Sequence, residues 1–175
     1  LLPEGPRMIT PAYIRTMTEY STEMNRRLYT AAAKLTDAER KQDRGLFWKS
    51  LHGTLNHLLW GDHNWMARFD NWPKPAIALK QSDSLHQDFA TLRAAREETD
   101  ARLAGWAARV DDAWLAQDQT WYSGAAQRDM AMPRRLLMVH FFNHQTHHRG
   151  QAHAALTAAG QDPGETDLFL IVGAK

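Results

Sequence analysis

Apolar residues recur at helical spacing in four long stretches of this chain, and the segments between them break that period. Ile14, Met17, Met24, Leu28, Ala31 and Leu35 keep a 3.6-residue rhythm. Thr10 before Pro11 reads as a cap followed by proline at the first helical position, so a helix is expected over about 11–34. Thr36 and Glu39 have capping-box spacing and start a short connector helix with a solvated charged run. A second long helix is expected over about 46–71, stopped by Trp72-Pro73. Leu51, Leu55, Leu58, Leu59, Met66 and Phe69 form its apolar face. Gly53, His57, Gly61, Asn64 and Arg68 lie on the other. Residues 72–83, with two prolines, read as a loop. Asp83 or Ser84 then caps a third helix over about 85–109, with Leu85, Phe89, Leu92, Leu103 and Trp106 inward. Between 111 and 132 helical period is lost. Segments 117–122 and 127–132 flank Ser123-Gly124 and suggest a minor β-hairpin. Pro133 opens and Gly160 closes a fourth helix over about 133–158. An apolar run from Leu168 to Val172 ends the pattern and is expected to pack on the bundle or on a partner subunit. The pattern predicts an all-α four-helix bundle, one domain over 1–175, with a connector helix and a hairpin before the last long helix.

The fourth helix carries the chemistry. Leu137, Phe141, Ala152 and Ala155 form its apolar stripe, and His144 and His148 sit inside that stripe. Their i, i+4 spacing puts both imidazoles on one face, about 6 Å apart along the axis, as in helical metal-binding pairs. His140 extends the ladder by another turn, but His140 and His148 are about 12 Å apart along the axis, too far for one metal. The stripe is centred between His144 and His148, while His140 leans towards its polar edge, so 144/148 is the pair chosen. His147 points further round, as a surface residue or a hydrogen-bonding neighbour of the site.

Composition narrows the chemistry. A formal net charge of +1, with scattered basic residues, gives no field to attract nucleic acid or a membrane surface. There is no cysteine, so any metal must take nitrogen and oxygen ligands. The same absence fits a reducing compartment, and a cytoplasmic location is expected. No apolar run approaches the ~20 residues of a membrane span. The opening LLPEGPR lacks the apolar core of a signal peptide, and Met8 is a candidate start.

Two histidines need a third ligand from another helix. His57 is the best placed, mid-helix on the polar face and flanked by Gly53 and Gly61 one turn away on either side. Glycine inside a helix costs up to ~1 kcal/mol relative to alanine. Close helix packing, or clearance around His57 for a metal and its ligand, would each explain the pair. His52 and His63 lie on a different side of that helix and read as surface residues. His86 and His153 have no partner at metal spacing. Asp62 projects away from His57, and Asn64 shares its face and could orient a substrate.

The stretches GTLNHLLWGDHNWMARF (53–69) and FFNHQTHHRGQAHAAL (141–156) resemble the DinB/YfiT superfamily of four-helix metal-binding proteins. This is the damage-inducible family and not the translesion polymerase. The resemblance extends over nearly the whole chain, including helix order and the closing GQDPGETDL. It implies a metal triad at His57, His144 and His148, matching the choice made from the stripes. Arg149, Gly150 and Gln151 complete the motif without an assigned role, and a salt bridge or helix-end contact is expected of Arg149. Superfamily members include low-molecular-weight thiol S-transferases and a thiol-dependent isomerase. The resemblance therefore implies a metal that activates a low-molecular-weight thiol towards a small-molecule substrate, and imidazole ligands suit a divalent Zn, Ni or Fe. A metal-dependent hydrolase and a non-catalytic metal-binding bundle remain as alternatives. No glutamate is tied to the triad by spacing, as a general base would be. Polar residues lining a cavity would favour an enzyme; a cavity plugged by Trp60 or Trp65 would favour the non-catalytic bundle. A homodimer is expected from the superfamily's habit and from the seven tryptophans.

Overall fold

The computed structural model describes residues 9–124 and 126–172; Met8, the candidate start, lies outside them. The four expected long helices are present: α1 (Pro11–Ala32), α3 (Leu51–Phe69), α4 (Phe89–Ala107) and α6 (Arg134–Ala158). Each packs on two others, in the cyclic order α1, α4, α3, α6. Thr10 caps α1, its hydroxyl accepting from the Tyr13 amide at 3.1 Å. The connector helix α2 (Asp37–Lys41) starts on the Thr36–Glu39 capping box. Gly160, at φ +77°, ends α6 in the left-handed region that a side chain would disfavour.

Boundaries shift where capping outweighs apolar period. α3 begins at Leu51 and not near residue 46, because Ser50 is extended and its hydroxyl accepts from the Gly53 amide at 3.0 Å. α4 begins at Phe89 and not at 85: Asp88 is the cap, accepting from the Thr91 amide at 2.7 Å. Part of the expected 72–83 loop is a 3₁₀ helix, Leu79–Ser84, packed on α3. A one-turn helix, α5 (Asp112–Leu115), precedes the hairpin, its start fixed by Asp111 accepting from the Trp114 amide. The hairpin pairs β1 (Asp118–Ser123) antiparallel with β2 (Arg128–Pro133), one residue later than expected. α7 (Leu168–Val172) packs along α1. Among the described residues, no helix is long and apolar enough to cross a membrane.

The core has two apolar halves. Ile14, Met66, Phe69, Leu103, Trp106 and Phe141 fill one, and Leu28, Leu51, Leu59, Phe89, Leu92 and Leu156 fill the other. Between them a buried polar layer takes a residue or two from every long helix. Arg96 pairs with Asp62 and with Asp100, each at 2.7 Å. Asn25 donates to Asp100 at 3.0 Å, Gln145 donates to Asp62 at 2.9 Å, and Ser21 donates to Gln145 at 3.0 Å. Burial pushes the Asp100 carboxyl up to about 6 even beside Arg96. Arg96→Met should therefore cost roughly 3–5 kcal/mol at neutral pH, because two buried carboxylates lose their cation. The deficit should shrink as pH falls and Asp100 protonates. Urea denaturation of both proteins at pH 7 and pH 5 checks this; equal stability at pH 7 would contradict it.

Candidate metal centre

α3 and α6 face each other, and the expected pair on α6 meets the expected residue on α3. A ring nitrogen from each of His57, His144 and His148 lies within 4.8 Å of the others. Nε2 of His57 and Nε2 of His144 are 3.2 Å apart. Metal–nitrogen bonds of ~2.0–2.1 Å at open angles place neighbouring ligand nitrogens about 3.0–3.4 Å apart, so this pair suits a shared cation. In the tautomer a metal requires, His57 Nδ1–H donates to Ser82 Oγ and His148 Nδ1–H donates to Gln151 Oε1, both at 2.8 Å. Both Nε2 lone pairs are then left for a metal. The donor set therefore fits a divalent transition metal.

Electrostatics favour the neutral, ligating form of each ring. Burial, reinforced by the neighbouring imidazoles, lowers His57 from 6.5 to about 3. Burial, and then His148, lowers His144 to about 4. His148 is also lowered by burial, although Gln151 opposes the shift.

The glycines divide their work. A Cβ on Gly61 would stand 2.9 Å from Cε1 of His144, so Gly61 makes room for the His144 ring. A Cβ on Gly53 would stand 2.5 Å from the Trp48 carbonyl oxygen. Gly53 therefore makes room for backbone and not for a metal, which corrects half of the clearance expectation. That approach lays the Trp48 ring on His57, centroids 4.2 Å apart and planes 25° apart.

Other histidines are placed apart from the triad. His140 is exposed, its ring against Trp65, and is not among the converging nitrogens. His147 is exposed, and the Gln151 amide donates to its Nε2 at 3.4 Å. Gln151 thus joins His147 to His148, a role the motif alone did not give it. His52 and His63 are not surface residues: His52 is buried against the His86 carbonyl and half-buried His63 meets Thr99. Helix α3 is enclosed on nearly every side, so the flank that carries His52 and His63 faces protein and not water. Asp62 does point away from the triad, into the ionic layer. Arg149 departs from expectation: it is buried with no carboxylate in ion-pair range among the described residues, and burial lowers it to about 10.

Sequence reasoning missed Ser82 and Trp48. Ser82 is one polar residue in a polar segment and carried no signal. Trp48 was read as part of a helix; Ser50, three residues before Gly53, is the cap signal that separates it.

His57 and His144 open onto a cleft of about 710 Å³. Trp60, Trp65 and Trp121 wall it without plugging it, and Asn64, Arg68 and Lys80 supply its polar lining. The Arg68 guanidinium lies 4.5 Å from the Trp65 ring.

Comparison with known proteins follows the same lines. The model of the DinB family matches residues 8–172. Among solved structures, the fold is similar to YfiT from Bacillus subtilis, with a TM-score of 0.62 and 16% identity, over 91% of this chain and 94% of that one. YfiT is described as a probable metal-dependent hydrolase with an unusual four-helix bundle topology. No curated protein matches the chain.

Two outcomes are expected. Single alanine replacements at His57, His144 and His148 should each abolish stoichiometric zinc binding, whereas His140→Ala should keep it. Gly61→Ala should weaken zinc by displacing the His144 ring. Metal analysis after dialysis reads all five, and a His140→Ala protein without zinc would move the site by one turn. The metal-free chain should also lose stability in acid. The unfolded imidazoles bind protons from about pH 6.5 downwards, whereas His57 and His144 in the fold resist protonation until about 3 and 4. Stability is thus complete above the unfolded value and falls as pH drops through that window. Urea midpoints in chelator from pH 7 to 4 should slope less for His57→Gln; parallel curves would refute the assignment.

Proposed function

We propose that this chain, which belongs to the DinB family, is a metal-dependent enzyme that activates a low-molecular-weight thiol for transfer to an electrophilic small molecule. One divalent transition metal, held by His57, His144 and His148, is the cofactor. The observation that carries the reading is the convergence of three neutral imidazoles, two of which, His57 and His144, line an open cleft. A divalent cation there supplies Lewis acidity, which lowers the pKa of a thiol or water and polarises a carbonyl. Imidazole donors suit Zn, Ni and Fe alike.

The chain's own residues define the rest. Ser82 and Gln151 orient two of the rings. Arg68 and Lys80 bring positive charge to the cleft, which suits an anionic nucleophile or substrate. Trp60, Trp65 and Trp121 offer apolar walls to the remainder of a ligand, and Asn64 offers an amide for orientation. No carboxylate lines this cleft among the described residues. A hydrolase usually places a general base near its water. A thiol, with an ordinary pKa of ~8.5, gives its proton to solvent more readily. This favours thiol chemistry. The fold likeness to YfiT, described as a probable metal-dependent hydrolase, supports the second reading, in which water is the nucleophile.

We also propose a homodimer. None of the seven tryptophans is exposed, so they do not argue for it. Exposed Leu168, Phe169 and Leu170 on α7 do.

The test is direct. Protein purified without added metal should contain about one divalent transition metal per chain. It should conjugate glutathione, cysteine or coenzyme A to a chloronitrobenzene acceptor, and His148→Ala should lose that activity. Hydrolysis of nitrophenyl esters without thiol turnover would carry the second reading instead.

A further inference from the structure

The face of α6 turned away from the triad borders a second cavity. It has a volume of about 440 Å³ and lies between α1, α6 and the segment 163–166. This is within the ~300–1,000 Å³ of small-molecule pockets. Arg149 is one of its lining residues and is only 6% exposed. The hydrogen bond recorded for its guanidinium is a long one, 3.4 Å to Thr146 Oγ1. Its Cζ lies 5.6 Å from the Tyr20 ring. Among the described residues no carboxylate is in ion-pair range. Among the described residues the other strongly buried charges are paired: Arg96 with Asp62 and Asp100. Asp62 and Asp100 act on Arg149 only from beyond ion-pair distance. A buried cation with no carboxylate in direct contact is costly, and one that borders an open cavity is best explained by an anion that enters it.

We propose that this cavity is a binding site for a small organic carboxylate with an apolar tail, its carboxylate seated on Arg149. Two features choose this class over inorganic phosphate. The guanidinium fork matches a carboxylate edge-on with two parallel hydrogen bonds. The other cation at the cavity, Arg27, is already engaged with Glu23 at 2.7 Å and with the Glu165 carbonyl at 3.0 Å, so a dianion finds too little free positive charge. Met24, Leu28, Ala154 and Pro163 give the tail its apolar wall. Tyr20 is fixed beside Arg149 by donating to the Thr166 carbonyl at 2.6 Å. The site is separate from the triad: His148 and Arg149 are neighbours in sequence, but roughly 100° of helical turn sets the His148 ring against His57 and His144 and leaves Arg149 lining this cavity.

The experiment is calorimetric titration of the intact, zinc-loaded protein with octanoate, octanamide and inorganic phosphate. Octanoate should bind one per chain, and neither octanamide nor phosphate should match it. Arg149→Met should weaken octanoate roughly tenfold or more while zinc stoichiometry is unchanged. Gly150→Leu supplies a second variant that does not touch the charge. A Cβ at Gly150 meets nothing within 4 Å, so the larger side chain can enter the cavity without strain and should also block octanoate. Undiminished octanoate binding in Arg149→Met, equal binding of octanamide, or no octanoate binding at millimolar concentration would each overturn the proposal. Tighter binding of phosphate than of octanoate would replace the carboxylate with an inorganic anion and overturn it equally.

Discussion

The ion pairs of Arg96 with Asp62 and Asp100 are the constraint on which the rest of the bundle depends. Two carboxylates and a guanidinium in a low-polarity interior are tolerable only while each stays in reach of its partners. Apolar helix faces can slide past one another at modest cost, because one leucine contact replaces another. A charged layer cannot. Asn25, Gln145 and Ser21 extend the layer to α1 and α6, so all four long helices are held at one height. Apolar halves above and below then pack around a fixed register.

That register delivers the triad. Gln145 donates to Asp62, and Gln145 is the residue after His144. The bond that ties α6 to α3 therefore sits beside His144, within a turn of His148 and within two turns of His57. Gly61 lets the His144 ring lie against α3, and Gly53 lets the Trp48 backbone close over the start of the same helix. The enclosure that results keeps the imidazoles neutral, since burial disfavours the imidazolium more than any neighbour favours it. A site built this way is ready for a cation without needing to release protons first. The hairpin completes it from outside, with Trp121 closing one wall of the cleft.

Similarity to YfiT at 16% identity shows that one fold accommodates widely different sequences. Helix order and packing tolerate wide substitution, whereas a cleft's charge and shape turn on a few residues such as Arg68, Lys80 and Trp121. The two faces of α6 illustrate the same economy. One helix of 25 residues presents His148 to His57 on α3 and Arg149 to a cavity against α1.

Periodicity was enough to place four helices, because a stripe of Ile, Leu, Met and Phe at 3.6 spacing has one good solution. Local chemistry was enough for Thr10, the Thr36–Glu39 box and Gly160, where side chain or glycine satisfies backbone groups a few residues away. The choice of His144 and His148 over His140 was also legible, since the apolar stripe defines which face turns inward. What crossed between segments was not. Ser82 reaches His57 from a 3₁₀ turn 25 residues on, and Gly53 answers to the Trp48 carbonyl, not to a ligand. His52 and His63 looked solvent-facing until α3 proved to be enclosed. Asp62 and Arg96 are ordinary charges in the sequence and become the centre of the molecule only when α3 meets α4. A single helix records its own faces, but the depth of a polar residue and the identity of its partner depend on what packs over it. Only the tertiary structure decides that, because burial and long-range pairing are properties of two segments at once.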